Sequence, residues 1–208
     1  MKKLLLIIAV APLLLVGCAS NDTSAPATGG GVNVKTPHLE KVWLAEGFTF
    51  AGYDTVYVGE TKSTAKFQPD EAKPHETAKR GLQQKLADAL KDKKLFANVV
   101  TRESDIPAGA KALRLENTIV EYSKGGGAAR YFAGLYGAGQ PVLKVEGKVT
   151  DGTKPVCNYT ARRSGVSAGA RMAGGVMTDE SVQAEDINSM VKDLTDFIER
   201  TAKGTPKK

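Results

Sequence analysis

The alternation of apolar and charged residues from Leu143 to Val149, within Pro141–Thr150, is the pattern that most limits how this chain can fold. Valines and a leucine alternate with lysines and a glutamate, which is typical of a strand with one buried face and one face in water. Asp151-Gly152 follows as a turn signal, and Val156–Arg162 can return as the partner strand. The hairpin favours an antiparallel sheet whose apolar face needs a second layer of structure to cover it.

Two amphipathic helices can supply that layer. Pro74 is typical of a helix start, and apolar residues follow it at helical spacing, at Ala78, Leu82, Leu86 and Leu90. A second helix is predicted from about Asp179 to Ala202, because Gly204 and Pro206 end the pattern there. Its apolar stripe consists of Ile187, Met190, Val191, Leu194, Phe197 and Ile198.

Three further strands complete the predicted fold. They are Tyr53–Gly59, Leu95–Arg102 and Ala110–Tyr122, where β-branched, aromatic or alternating apolar residues recur. The elements then follow in the order β-α-β-β-β-β-α, which favours an α+β fold: an antiparallel sheet with both helices packed on one face. The chain of 208 residues has room for one such domain, which we place at residues 39–203, before a basic tail at 204–208.

The first seventeen residues have the pattern of a secretory signal. A basic start, Lys2-Lys3, precedes the uncharged apolar run Leu4–Val16. The run is too short for a membrane-spanning helix, which takes about 20 residues, and matches the apolar core of a signal peptide. Residues 19–37 are small, polar and rich in glycine and proline, so we expect a flexible tether between the signal and the domain.

The signal ends in Leu15-Val16-Gly17-Cys18, which resembles the lipobox of bacterial lipoproteins. The resemblance implies cleavage between Gly17 and Cys18, and acylation of Cys18. The mature chain would then comprise a lipidated N-terminus and tether at 18–38, followed by the domain. The residue after Cys18 is Ala19 and not aspartate, which implies the outer membrane of a Gram-negative host, with the domain facing the periplasm or the cell surface.

Charge and cysteine content narrow the function classes. The net charge of +6 includes the two lysines of the signal and three lysines of the C-terminal tail, and the other basic residues are interspersed with acidic ones. Nucleic acid is therefore not an expected partner, because its binding needs a clustered basic face.

If Cys18 carries lipid, Cys157 has no partner for a disulfide within the chain, and we predict that it is a small buried hydrophobic residue.

Catalytic motifs are weak in this sequence. Residues 165–169, GVSAG, match the G-x-S-x-G pattern around a nucleophilic serine, here Ser167. The hydrolases that use this motif have their histidine after the serine, whereas His38 and His75 both precede it. Neither histidine has a metal-binding neighbour at ligand spacing. We therefore expect no catalytic residues, metal or cofactor, and keep a serine hydrolase only as an alternative.

Two glycine-rich blocks, residues 125–139 and 164–177, flank the predicted hairpin. The first contains Arg130, Tyr131, Phe132 and Tyr136, and arginine and aromatic residues are enriched at protein interfaces. These four residues are our candidate partner surface. Two structural alternatives remain at this stage. The blocks can be plain glycine loops, and Arg130 can form an ion pair with a carboxylate such as Glu121 or Glu146.

The first block and the strand after it also carry a family resemblance. GGGAARYFAG, the following GAG and the strand VLKVEGKVTD resemble the domain-of-unknown-function 4410 family of bacterial lipoproteins. More distantly, ARYF and the strand after it resemble the lipoprotein that forms the curli secretion pore. The first resemblance implies no established activity, and the second implies an oligomeric component of the outer membrane.

Together these features predict a lipid-anchored envelope protein without catalytic activity. Its domain would bind a protein or an envelope polymer in the periplasm while acylated Cys18 holds it to the membrane. An alternative is an oligomeric secretion or assembly component of the outer membrane, in which copies of this chain bind one another.

Overall fold

A computed structural model of the chain describes residues 30–36, 38–126, 139–164 and 179–204. Within these ranges the protein has an α+β fold, as predicted. Short 3₁₀ turns precede the first helix, at Pro69–Glu71, and follow the fifth strand, at Glu103–Asp105. The strands and helices, in chain order, are β1 Gly31–Asn33, β2 Lys41–Ala45, β3 Thr55–Val58, β4 Lys62–Ser63, α1 Ala72–Lys93, β5 Asn98–Val100, β6 Ala112–Ser123, β7 Val142–Asp151, β8 Lys154–Arg163 and α2 Asp179–Lys203.

The strands form one sheet in the order β1-β2-β8-β7-β6-β3-β5, with β4 beside β6. Pairing is antiparallel from β1 through to β6, so the predicted hairpin is the centre of the sheet. The sheet is mixed because β3 lies parallel to both β5 and β6, and β4 lies parallel to β6. The sequence predicts an antiparallel sheet and does not predict these parallel pairs. They arise because α1 crosses over between β3 and β5, and such a crossover returns the chain in the same direction.

A single hydrophobic core joins both helices to the sheet. The inward side chains of the central strands and the predicted stripe of α2 all belong to it, and Leu194 and Phe197 are almost fully buried. The largest fully buried side chains come from both helices and from strands β2, β3, β6 and β7; they are Val42, Val56, Leu82, Leu86, Leu90, Leu113, Leu115, Ile119, Leu143, Met190, Phe197 and Ile198. Neither helix in the described ranges has the length and apolar content needed to cross a bilayer.

The sheet begins upstream of residue 39, where we had placed the start of the domain. Gly31–Asn33, within the expected tether, pairs antiparallel with β2. Gly31 lies against the indole of Trp43, and a Cβ atom at this glycine would come within 2.4 Å of the ring. Gly31, which in the sequence indicated a flexible tether, therefore allows the backbone to lie close to the ring of Trp43.

The first helix also begins earlier than expected, at Ala72. Pro74 is its third residue and not its first. This position suits proline, because the first four N–H groups of a helix have no acceptor within the helix and the missing N–H of proline is not needed there.

The two ends of the sheet connect to different segments of the chain. At one end β6 finishes, β7 begins and β8 finishes, with Ser123 opposite Val142 and Leu143 opposite Arg163. We call this the glycine end, because both glycine-rich blocks connect to it. The tether end lies opposite and holds the β7–β8 turn and Gly30, whose carbonyl accepts a hydrogen bond from the N–H of Glu46. The 25 residues of α2 run between the two ends, a length of about 37 Å.

Candidate functional site

The candidate partner residues Arg130, Tyr131, Phe132 and Tyr136 lie outside the described residues, as do Gly17, Cys18 and Ser167. The base of the first glycine-rich block is described. There the N–H of Gly126 donates to the carbonyl of Gly139 at 2.9 Å. Residues 127–138 therefore connect two hydrogen-bonded positions that continue the β6–β7 pairing.

The second glycine-rich block starts and ends beside the first. It leaves β8 after Arg163, which lies opposite Leu143, and the chain rejoins the described structure at the start of α2. The first turns of α2 are bound to the end of β6, because the hydroxyl of Tyr122 donates to Oε1 of Gln183 at 3.1 Å in a buried position. The chain thus leaves and re-enters the described structure at the glycine end for both blocks, on a base formed by the strand ends and the two helix starts.

Glu71 links that base to the first helix. Its side chain is 4% exposed. One carboxylate oxygen, Oε2, accepts the N–H of Gln68, and the other, Oε1, accepts the N–H of Lys124, both at 2.8 Å. The ammonium group of Lys124 also pairs with the carboxylate of Asp70. One buried carboxylate therefore closes the 3₁₀ turn before α1 and fixes the backbone where the glycine-rich block begins.

Sequence reasoning missed this role of Glu71, although a signal was present. Gln68-Pro69-Asp70-Glu71 has the spacing of a capping box, with a proline at the first helical position. The helix predicted from the sequence starts at Pro74, after this capping box, so the prediction does not include Glu71.

His75 is the second buried polar residue of the base, with only 2% of its surface exposed. Its ring stacks on Phe67, with centroids 4.2 Å apart, and meets Tyr122 edge-on at 4.9 Å. Its Nε2 lies 2.8 Å from the hydroxyl of Ser63. Burial lowers the pKa of His75, and Nδ1 is buried without a hydrogen bond, with Oε1 of Glu76 at 3.7 Å.

The order Ser63, His75, Glu76 invites comparison with a catalytic triad. The hydroxyl of Ser63 is placed to donate to the carbonyl of Ile119 at 3.2 Å, and it also lies 2.8 Å from Nε2 of His75. A nucleophilic serine must donate to its base, and the tautomer of His75 decides whether Ser63 does so. This arrangement ties β4, β6 and α1 together.

A cleft of about 450 Å³ opens on the glycine end beside these residues. Phe67 is 38% exposed at this cleft, which places an aromatic side chain in contact with solvent next to the first glycine-rich block. The cleft is lined by Lys66, Phe67, Gln68, Asp70, Glu71, Tyr122, Ser123, Lys124 and Gly125.

The structure also describes three other features considered in the sequence: Cys157, Glu121 and the groups that could bind a metal ion. Cys157 is fully buried, as predicted, and burial raises its pKa to about 12, so the thiol stays protonated. Glu121, one of the two carboxylates considered for Arg130, pairs with Arg162 on β8, with Nη2 3.4 Å from Oε1. Within the described ranges no three His, Cys, Asp or Glu side chains come together in an arrangement that could hold a metal ion.

Residues 52–201 match the model of the family described as Domain of unknown function (DUF4410). No curated protein matches the sequence. A PelC dodecamer from Paraburkholderia phytofirmans is 19% identical, with 72% of this chain and 97% of that chain covered and a TM-score of 0.42. A variant of the same dodecamer is 21% identical, with coverages of 74% and 95% and a TM-score of 0.45.

Protein XCC0632 from Xanthomonas campestris, of the DUF330 family, is 13% identical, with 75% of this chain and 85% of that chain covered and a TM-score of 0.40. Because these TM-scores are all below 0.5, we infer nothing about the function or assembly of this chain from XCC0632 or PelC.

Proposed function

Because this chain belongs to the DUF4410 family, whose description names no activity, we propose its function from its own geometry. The protein is a non-catalytic lipoprotein of the bacterial envelope, anchored by acylated Cys18. It holds a protein or an envelope polymer at its glycine end. We place it in the outer membrane, with the domain in the periplasm.

The observation that carries this proposal is the separation of the two ends of the domain. Both glycine-rich blocks connect to the glycine end, whereas the chain enters the domain from Cys18 at the tether end, about 37 Å away along α2. A domain anchored through its N-terminus can therefore present Arg130, Tyr131, Phe132 and Tyr136 away from the membrane surface.

The chemistry of the first block supports the same role. Arg130 is its lone charge, and it stands beside Tyr131 and Phe132, the residue types that dominate binding energy at interfaces. The base of the block is already held by Glu71 and by the bond between Gly126 and Gly139. A segment fixed at both ends loses less conformational freedom when it binds, which favours affinity.

The sequence supports the anchor. Leu15-Val16-Gly17-Cys18 has the lipobox pattern, and two or three acyl chains give stable membrane attachment where one is marginal.

In the serine hydrolase alternative, Ser167→Ala abolishes function, whereas our proposal requires that this substitution leave partner binding intact.

A photo-crosslinking amino acid at Tyr136 tests the partner surface in the living envelope. The matched control places the same amino acid at Lys154, the exposed first residue of β8 at the tether end. We expect a defined adduct from Tyr136 and none of the same mass from Lys154. An adduct with a second copy of this chain would assign the surface to homo-oligomerisation. Equal adducts from both positions would contradict the proposal.

The Cys18→Ser variant tests the anchor. We expect an unacylated precursor that keeps its signal and runs above the mature size. A variant that runs at the mature size and still fractionates with membranes would show that Cys18 is not the anchor.

A further inference from the structure

A second cleft, larger and mainly apolar, lies at the tether end. It measures about 870 Å³, within the range of about 300–1,000 Å³ typical of small-molecule sites. It opens between the edge strand β1, the loop after β2 and the last turn of α2. Its lining includes Val32, Lys35, Leu44, Phe48, Thr201 and Lys203.

The local structure explains why the cleft is open and apolar. Gly47 has a φ of +70° and turns the chain after β2, and the hydroxyl of Thr49 then donates to the carbonyl of Thr201 at 2.7 Å, which holds the loop against α2. Phe48 packs edge-on against Phe50, with centroids 5.0 Å apart, and gives the cleft an aromatic wall. Val32 on the edge strand remains 47% exposed, one of two large apolar side chains exposed in the described part of the chain.

Among the described residues that line this cleft, the charged ones are Lys35 and Lys203, and both are exposed. The ammonium group of Lys203 also pairs with the carboxylate of Glu199 at 2.6 Å, so part of its charge is already balanced. An apolar cleft with cationic groups at its opening is complementary to an amphiphile that has one apolar chain and an anionic head.

We propose that this cleft binds a long-chain fatty acid. The alkyl chain lies against Val32, Leu44 and Phe48, and the carboxylate head lies at Lys35 and Lys203. This site is separate from the glycine end and does not depend on the function proposed there.

A diazirine-bearing C16 fatty acid tests the site in the full-length protein purified in detergent. Peptide mapping after illumination should place the label on residues around Val32 and Phe48. Excess palmitate should compete at least tenfold better than methyl palmitate, because the ester lacks the anionic head. Val32→Asp and Lys35→Glu should each reduce labelling at least tenfold.

Lys154→Asp is the matched control, because it places an acid at an exposed position of the same end outside the cleft. It should label like the parent. Lys35 and Val32 are both exposed, so their variants should keep the circular dichroism spectrum of the parent.

Three results would overturn the proposal. Labelling that both cleft variants leave unchanged would place the fatty acid elsewhere. Equal competition by methyl palmitate would remove the role of the two lysines. Labelling found only in the Cys18→Ser precursor would mean that the protein's own acyl chain, and not a free fatty acid, occupies the cleft.

Discussion

Gly147 occupies the middle of the buried sheet face, in register with Asn117 on β6 and Tyr159 on β8. The ring of Tyr159 lies on the glycine, and its hydroxyl reaches across to donate to Oδ1 of Asn117. Burial raises the pKa of Tyr159 well above its usual value, so the hydroxyl remains a donor. The Tyr159 hydroxyl and Asn117 Oδ1 therefore satisfy each other over a residue without a side chain, whereas Nδ2 of Asn117 is buried without a hydrogen bond.

Gly147→Ala should therefore destabilise the protein. The added Cβ would come within 1.9 Å of the Tyr159 ring, which the bond to Asn117 holds in place. We expect a loss of about 1–3 kcal/mol in the free energy of unfolding, measured by chemical denaturation, which is typical of overpacking.

Gly81→Ala is the matched control, since the nearest atom to its added Cβ is Ile187 Cδ1 at 3.9 Å. Alanine is favoured over glycine inside a helix, so this variant should gain about 1 kcal/mol. Equal effects of the two substitutions would contradict the packing described for Gly147.

His75 should make stability depend on pH. Burial lowers its pKa in the folded protein, Lys79 lowers it further, and the carboxylates of Glu76 and Glu71 oppose the shift. The unfolded chain takes up this proton at about pH 6.5, the usual pKa of histidine, and the folded protein takes it up only at lower pH. The His75 contribution to stability is therefore complete above about pH 6.5 and is lost as pH falls from there through the lower pKa of the folded protein.

His75→Gln should flatten this dependence, measured as the free energy of unfolding between about pH 7.5 and 5.5. His38→Gln is the control, because the only other histidine of the chain is exposed. If His38→Gln flattens the profile and His75→Gln does not, the buried histidine is not the titrating group.

At the scale of secondary-structure elements, the sequence predicted those helices and strands in which apolar residues recur at a regular spacing. Both helices and the central hairpin have long patterns with one clear period, and their apolar residues are the ones buried. β2 was missed because its three central residues, Val42, Trp43 and Leu44, are all buried, so no alternation marks the strand. β1 and β4 have only three and two residues, which is too short for a pattern. Their pairing depends on tertiary contacts, as the approach of Gly31 to Trp43 illustrates.

The packing of α2 on the sheet gives a test at this scale. Leu194 is 2% exposed and belongs to the core shared by both helices and the sheet. Leu194→Ala should cost about 2–5 kcal/mol of unfolding free energy, because truncation of a buried leucine leaves a cavity. Arg200→Ala changes an exposed residue of the same helix and should stay within about 0.5 kcal/mol of the parent. An unchanged melting temperature for Leu194→Ala would contradict the packing of this helix.

At the scale of the whole molecule, the two ends of the domain connect to different parts of the chain. The chain enters at the tether end, and both glycine-rich blocks connect to the glycine end, with the helices and the central strands running between them. The sequence identified the blocks by composition, but it did not place them at one end of the sheet. That placement depends on the register of β6, β7 and β8 and on contacts between distant residues, such as Glu71 with Lys124 and Tyr122 with Gln183.

The most direct test of the central claim compares stability with partner capture in Arg130→Ala and Tyr131→Ala. We predict that each substitution lowers the yield of the adduct from the crosslinker at Tyr136 at least about tenfold, because truncation of an interface anchor typically costs about 2 kcal/mol or more of binding energy. The melting temperature should stay within a few degrees of the parent. A clear drop in melting temperature with the adduct yield unchanged would contradict the account and would make Arg130 and Tyr131 structural residues.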